Sequence, residues 1–176
     1  LYNICRKEES TVKKFAIIGG SFNPVTKAHV EIGQIAAREL PGWQILYIPA
    51  PDRFLTSWKS MEKKEILSGE QRLNLLRKAV EPYGFLCEDC EVHLKTSAKT
   101  YDTMQYLRAQ YGQDTQLVYV CGTDKLSELS IWYKAEGIFE LSRFLVIPRD
   151  GDEPEKMIKE IPFLKERRDR ILISHE

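Results

Sequence analysis

Continuous apolar runs alternate with amphipathic segments along most of the chain. The runs that predict strands are residues 15–18, 44–49, 85–92, 116–121, 142–149 and 170–174. The segments whose apolar residues recur at helical spacing include 30–40, 70–80, 100–108 and 153–160. Buried parallel strands are typically continuous apolar runs, and helices between them indicate parallel crossovers. The pattern therefore predicts an α/β fold, a doubly wound, Rossmann-like parallel sheet with helices on both faces.

The first predicted strand runs through a Gly-rich segment into the first helix. Residues 19–29 read Gly-Gly-Ser-Phe-Asn-Pro-Val-Thr-Lys-Ala-His. Glycines let the backbone approach a ligand, and the N–H groups of a helix's first turn attract anions. Thr26 and His29 are three positions apart, so a helix places them on one face near those N–H groups. The segment predicts a phosphate site, although a strand end followed by a polar helix cap has the same pattern.

This segment resembles the His/Thr-x-Gly-His signature of the nucleotidylyltransferase superfamily. Its Ser-Phe-Asn-Pro is most similar to the nicotinamide/nicotinate mononucleotide adenylyltransferases, although Ala28 replaces the usual Gly before the histidine. The resemblance implies that His29 and Thr26 are catalytic. The residues that it implies for nucleotide binding in this segment are Gly19, Gly20, Ser21, Phe22 and Asn23.

A second resemblance lies after the strand predicted over 116–121. An acidic residue just past a strand end can accept hydrogen bonds from ribose hydroxyls, and a helix N-cap would also explain Asp124. Gly-x-Asp followed by Trp-Tyr is also found in the family, whose Trp stacks on the pyridine ring. The resemblance thus implies Gly122 and Asp124 for the nucleotide and Trp132 for the mononucleotide. The residues alone leave a core position for Trp132 open.

Two further mononucleotide contacts are implied by the resemblance. Residues 50–69 lack a clean period and predict a long loop or broken helix after a strand's carboxyl end, where open α/β sheets bind ligands. A solvated basic run is the alternative, but family members place a lysine here for the mononucleotide phosphate, which matches Lys63. Thr100 is predicted as the N-cap of the next helix. The corresponding turn contacts the pyridine substituent in the family, so capping alone and capping with binding both stay open.

Composition bounds the partners and the location. The 26 basic and 26 acidic residues cancel, so the net charge indicates neither nucleic acid nor an anionic membrane as a partner. The chain contains neither a signal peptide's apolar core near its start nor a run of ~20 apolar residues, so we expect a cytoplasmic protein, or a nuclear one in a eukaryote. We expect residues 1–13 to be a polar tail and residues 14–176 to form one domain.

The cysteines have an incidental or structural interpretation. Four cysteines are too few for a disulfide framework in a chain of this length. Cys87 and Cys90 have the spacing of a redox or zinc pair, but they lie in a predicted strand and no second pair supplies further zinc ligands.

The resemblance implies transfer of an adenylyl group from MgATP to nicotinamide or nicotinate mononucleotide, yielding NAD or its deamido form and pyrophosphate. Mg²⁺ is the implied cofactor, ATP and the pyridine mononucleotide are the implied partners, and a homo-oligomer is left open. Family members continue into Ile-Ser-Ser-Thr-x-x-Arg, which binds ATP phosphates, so we expect this domain to lack that segment. One alternative is phosphopantetheine adenylyltransferase, which typically has Phe-Asp-Pro at residues 22–24. The other is a catalytically weak nucleotide-binding sensor.

Overall fold

A single parallel sheet forms the centre of the protein. The computed structural model describes residues 12–57 and 65–175. The strands are β1 (Lys14–Gly20), β2 (Gln44–Pro49), β3 (Leu86–Cys87), β4 (Gln116–Gly122), β5 (Ser142–Ile147) and β6 (Ile171–Ile173). They are ordered β3-β2-β1-β4-β5-β6, and every neighbouring pair is parallel. The order reverses between β1 and β4, which is where doubly wound sheets open a ligand crevice.

Helices cover both faces of this sheet. They are α1 (Lys27–Glu39), α2 (Asp52–Ser57), α3 (Gly69–Val80), α4 (Thr100–Tyr111), α5 (Ala135–Leu141), α6 (Pro154–Glu160) and α7 (Pro162–Lys165). Buried residues of α1 and α3 pack against one face, and those of α4 to α7 pack against the other. The predicted doubly wound α/β fold is therefore confirmed.

The close approach of α1 to the sheet depends on Gly33. A Cβ at this buried position would collide with the Tyr47 hydroxyl of β2. That hydroxyl donates a hydrogen bond to the His29 carbonyl oxygen at 2.8 Å. Strand β2 thereby fixes the first turn of α1, where the predicted catalytic histidine lies.

The strand predicted over 85–92 is mostly wrong, because only Leu86–Cys87 pairs with β2. The chain then turns, since the His93 N–H donates to the Asp89 carbonyl at 2.9 Å and the Lys95 N–H donates to the Cys90 carbonyl at 2.8 Å. These local hydrogen bonds replace the ladder that a longer strand would need.

Smaller corrections concern other boundaries. Strand β5 ends at Ile147 rather than at Arg149, because Arg149 begins a turn in which its N–H donates to the Asp152 carboxylate at 2.9 Å. The segment predicted as a long loop or a broken helix contains the six-residue α2. Lys63 lies outside the described residues, so its predicted contact stays a prediction.

Three cysteines in the described part of the chain are free thiols, namely Cys87, Cys90 and Cys121. Cys90 is fully buried in the core, and burial raises the pKa of Cys87 to about 11. Both environments favour the unreactive thiol form. No helix of the described residues is long and apolar enough to cross a membrane.

Candidate nucleotide-binding site

The segment that joins β1 to α1, residues 21–26, is termed the elbow. Its backbone is held from one side, because the Gly20 carbonyl accepts from the Ala50 N–H at 2.8 Å and the Ser21 carbonyl accepts from Arg72 at 2.7 Å. In a trans peptide the N–H points opposite to the carbonyl. The N–H groups of Ser21 and Phe22 are therefore directed away from Ala50 and Arg72. Phe22 has a left-handed backbone with φ of 46°. Successive N–H groups in such a turn form a concavity that suits an anion.

Thr26 and His29 meet at the start of α1, as their spacing predicted. Thr26 is the N-cap, and its N–H donates to His29 Nδ1 at 3.0 Å. The Thr26 hydroxyl lies 2.9 Å from the same nitrogen. Because Nδ1 accepts these hydrogen bonds, the neutral imidazole carries its proton on Nε2. The threonine thus fixes both the ring orientation and the tautomer of a hydrogen-bond donor.

Two predicted nucleotide contacts of the elbow have side chains that serve the protein itself. The Asn23 carboxamide donates to the Glu65 carbonyl at 2.9 Å and accepts from the Leu67 N–H at 2.8 Å. The Phe22 ring is buried, and its centroid lies 5.1 Å from that of His29. Their predicted roles toward a nucleotide therefore depend on backbone atoms.

Arg72 was not singled out from the sequence, yet it organises this end of the site. Its side chain is fully buried and also donates to the Leu67 carbonyl at 3.1 Å and to the Asp52 carboxylate at 2.7 Å. The sequence does contain a signal, since Arg72 shares the apolar face of α3 with Leu76 and adjoins Leu73. A cation at a core position indicates buried hydrogen-bond partners.

A second cluster, which no sequence pattern indicated, lies across the crevice around Tyr119 of β4. A Cβ at Gly19 would lie 2.8 Å from the Tyr119 hydroxyl, so the glycine allows the two strands' residues to meet. Trp132 is half-buried, and its ring meets that of Tyr119 edge to face with centroids 5.5 Å apart. The Thr100 side chain lies near the Tyr119 phenol, whose pKa is raised by burial. The predicted residues Gly19, Thr100 and Trp132 are therefore brought together.

The N-cap predicted at Thr100 is wrong, and the alternative of an N-cap at Asp124 does not hold either. Thr100 is the first residue of α4, and the N-cap is Lys99, whose backbone is extended. Asp124 lies within the short 3₁₀ helix Thr123–Lys125, and Gly122 is the N-cap. The exposed Asp124 carboxylate lies 3.7 Å from Lys125 Nζ.

The arrangement combines a backbone concavity that suits an anion, an oriented imidazole and an aromatic cluster at the carboxyl ends of β1 and β4. Within residues 12–57 and 65–175, no group of three or more His, Cys, Asp or Glu side chains could hold a metal ion. Phosphate groups and a flat ring are the chemical features that these surfaces match.

Comparison with known proteins gives a family match over most of the chain. The model of the family described as Cytidylyltransferase-like matches residues 17–174. A probable nicotinate-nucleotide adenylyltransferase of Clostridium perfringens is 29% identical over 149 residues, which are 84% of this chain and 71% of the relative. Another from Clostridium botulinum is 26% identical over 157 residues, 89% of this chain and 74% of the relative. The resemblance stated from the sequence is thereby confirmed.

A solved structure is similar in fold. It is the Plasmodium falciparum nicotinic acid mononucleotide adenylyltransferase complexed with NaAD, with a TM-score of 0.68 and 18% identity. The match covers 92% of this chain and 74% of that one. At this level of identity the likeness concerns the fold alone.

Proposed function

The chain belongs to the cytidylyltransferase-like family, and we propose that it transfers the adenylyl group of MgATP to the phosphate of a pyridine mononucleotide. The products are the pyridine dinucleotide and pyrophosphate. The pairing of Thr26 with His29 beside the elbow carries this proposal, because it aims a hydrogen-bond donor at an anion site. The adenylyltransferase names of the relatives support it.

The reaction is a direct displacement and needs no nucleophile from the protein. An oxygen of the mononucleotide phosphate attacks the α-phosphorus of ATP, and the bond from that phosphorus to the β-phosphate oxygen breaks. The enzyme has to align the two phosphates and stabilise the charge that moves to pyrophosphate. The N–H groups of Ser21 and Phe22 bind phosphate oxygens, and His29 Nε2–H donates to the α- or β-phosphate.

The two ends of the substrates occupy different parts of the crevice. Gly122 and Asp124 contact the ATP ribose, where a carboxylate can accept from both hydroxyls. Trp132 stacks on the pyridine ring, Thr100 contacts its substituent, and Lys63 binds the phosphate of the mononucleotide. The Tyr119 ring supports this arrangement, because it lies near the Thr100 side chain and meets the Trp132 indole edge to face.

Magnesium fits this site as part of the substrate. Mg²⁺ is usually bound by phosphate oxygens and water with one or two carboxylates, and the described residues offer no ligand cluster of their own. Bound to ATP, Mg²⁺ would neutralise phosphate charge.

The test is pyrophosphate release from MgATP with nicotinamide mononucleotide, nicotinate mononucleotide or phosphopantetheine as the acceptor. Release with a pyridine mononucleotide supports the proposal. Pyrophosphate release with phosphopantetheine alone would identify the protein as a phosphopantetheine adenylyltransferase. Calorimetric binding of ATP, without pyrophosphate release in the presence of any of the three acceptors, would favour the nucleotide-binding sensor.

A further inference from the structure

The Tyr47 hydroxyl of β2 lies against two residues of α1 that are one helical turn apart. It donates a hydrogen bond to the His29 carbonyl at 2.8 Å, and a Cβ on Gly33 would collide with the same oxygen. His29 and Gly33 are four positions apart, which is about one turn of an α-helix. The hydroxyl therefore contacts the turn of α1 that begins at the proposed catalytic histidine.

The ring of Tyr47 supports the same histidine by a second route. It meets the Phe22 ring edge to face, with centroids 5.7 Å apart and planes at 65°. Phe22, which is buried in the elbow, in turn meets the His29 imidazole with centroids 5.1 Å apart and planes at 76°. Tyr47 thus supports the backbone of His29 directly and its imidazole through one intervening ring.

Tyr47 is itself held in place by its surroundings. Its side chain is fully buried, and its ring packs against that of Phe85 with centroids 6.2 Å apart. A Cβ on Gly33 would also lie 2.9 Å from Cε2 of Phe85, so both rings pack closely against α1. Burial raises the pKa of the Tyr47 phenol above its ordinary value, so the hydroxyl stays protonated and remains a donor in the neutral pH range.

We propose that Tyr47 is a positioning residue that fixes where the Nε2–H of His29 points during the reaction. The inference rests on the proposed function. Thr26 sets the tautomer and the orientation of the imidazole within its own turn. Tyr47 sets the place of that turn relative to the elbow, because it pairs with Ile18 of β1 two residues before the end of that strand. A displacement of ~1 Å can cost ~10²-fold in rate, so a residue that does not touch the substrates can still control turnover.

The experiment is a double-mutant cycle on kcat for pyrophosphate release from MgATP and a pyridine mononucleotide. The variants are Tyr47→Phe, His29→Ala and the double substitution. Tyr47→Phe removes the hydroxyl and keeps the ring, and we expect it to lower kcat about tenfold while either KM changes less than about twofold. In the His29→Ala background the same substitution should leave kcat unchanged, because Tyr47 acts through the imidazole. Equal losses in both backgrounds would overturn the inference, as would a parent kcat in Tyr47→Phe.

Ser142→Ala is the matched control for the loss of a buried hydrogen bond. The Ser142 hydroxyl is buried and donates to the Ile138 carbonyl at 2.9 Å, but it lies at the amino end of β5, away from the crevice. Both variants should lower the melting temperature, whereas only Tyr47→Phe should lower kcat. A tenfold loss of kcat in Ser142→Ala as well would mean that lost stability explains the effect, and it would overturn the inference.

An NMR measurement separates this inference from the proposed function. The carbon-bound protons of the His29 imidazole lie in the ring current of Phe22, so their chemical shifts report how the two rings are placed. These shifts should move in Tyr47→Phe and stay at the parent values in Ser142→Ala. Such a result in a parent protein that releases no pyrophosphate would contradict only the proposed reaction. Unchanged shifts in Tyr47→Phe would overturn the positioning by Tyr47.

Discussion

The guanidinium of Arg72 donates a hydrogen bond to the carbonyl oxygen of Ser21 at 2.7 Å, from a side chain that has no solvent exposure. The two residues are 51 positions apart in the chain. The carbonyl direction fixes the N–H of the following residue, which points into the proposed phosphate site. A buried cation on α3 thus sets the geometry of a loop that belongs to β1 and α1.

We expect Arg72→Met to lower the free energy of unfolding by about 3 kcal/mol, because each part-buried acceptor left without its donor costs about 1–3 kcal/mol. The substitution leaves the Ser21 and Leu67 carbonyls without their donor. Denaturant unfolding measures the change. The control is Arg77→Met on the same helix, where the guanidinium is exposed and 4.0 Å from Asp89, and where we expect a change below about 1 kcal/mol. Equal effects of the two substitutions would contradict the structural role of Arg72.

The fold was largely predictable because the signal is local. A parallel strand with helices on both faces must be apolar along its length, so β1, β2, β4 and β5 are visible as apolar runs. The strand predicted over 85–92 was mostly wrong although its apolar composition is similar. There the backbone closes a turn through hydrogen bonds between residues four and five apart, which apolar composition does not indicate.

The residues of the candidate site were likewise predictable only where their partners are close in the sequence. Thr26 and His29 could be paired from the sequence, because one helical turn brings residues three apart together. Arg72 and Tyr119 could not, since their partners come from distant segments that only the folded sheet brings together. The N-cap predicted at Thr100 is one residue off, because the backbone is still extended at Lys99 and is already helical at Thr100.

His29→Ala should lower kcat for pyrophosphate release by ~10²-fold, with a smaller effect on mononucleotide binding. The imidazole donor matters most when charge develops on the leaving pyrophosphate. Steady-state kinetics with MgATP and calorimetric binding of the mononucleotide separate these effects. His93→Ala, which removes an exposed histidine outside the elbow, should retain the parent kcat. A His29 variant within threefold of the parent would exclude the catalytic role.

Trp132→Ala should weaken mononucleotide binding by on the order of 1 kcal/mol through lost stacking. Because the indole is half-buried against Tyr119, we also expect a loss of stability, but less than the ~3–5 kcal/mol of a core tryptophan. Calorimetry and denaturant unfolding measure the two effects. Trp43→Ala is the matched control, since Trp43 is half-buried against the opposite core and should affect stability alone. A Trp132 variant with unchanged affinity would assign this residue to the core.

His93 should make stability depend on pH. Its ring pairs with the Glu70 carboxylate, and Nδ1 lies 3.2 Å from the Asp89 carboxylate, so both raise the pKa of His93 above its ordinary value of 6.5. The stabilisation is fully present below that value and is lost as the pH rises through the folded-state pKa. His93→Gln should therefore cost more free energy of unfolding at about pH 5.5 than at about pH 8.5. A cost that is the same at both pH values would rule out the pairing.

Glu91 should also make stability depend on pH, at lower pH than His93 does. Burial raises the pKa of its carboxyl to about 7 from 4.5, although a hydrogen bond from Thr103 and the charge of Arg53 oppose the shift. Because the folded state favours the protonated acid, the contribution of Glu91 to stability is largest below pH 4.5 and declines as the pH rises to about 7. Glu91→Gln cannot ionise and should remove this decline.

The Glu91 comparison is best made in a His93→Gln background, since His93 also loses stabilisation as the pH rises. Other titratable groups near the Glu91 carboxyl are Tyr119 and Cys90, whose raised pKa values keep them neutral in this window. Unfolding free energies of the two proteins should therefore converge at about pH 4.5 and separate towards pH 7, with the glutamine variant the more stable. Parallel curves over that range would mean that Glu91 titrates alike in the folded and unfolded chains, and its buried contact with Thr103 would then carry no pH dependence.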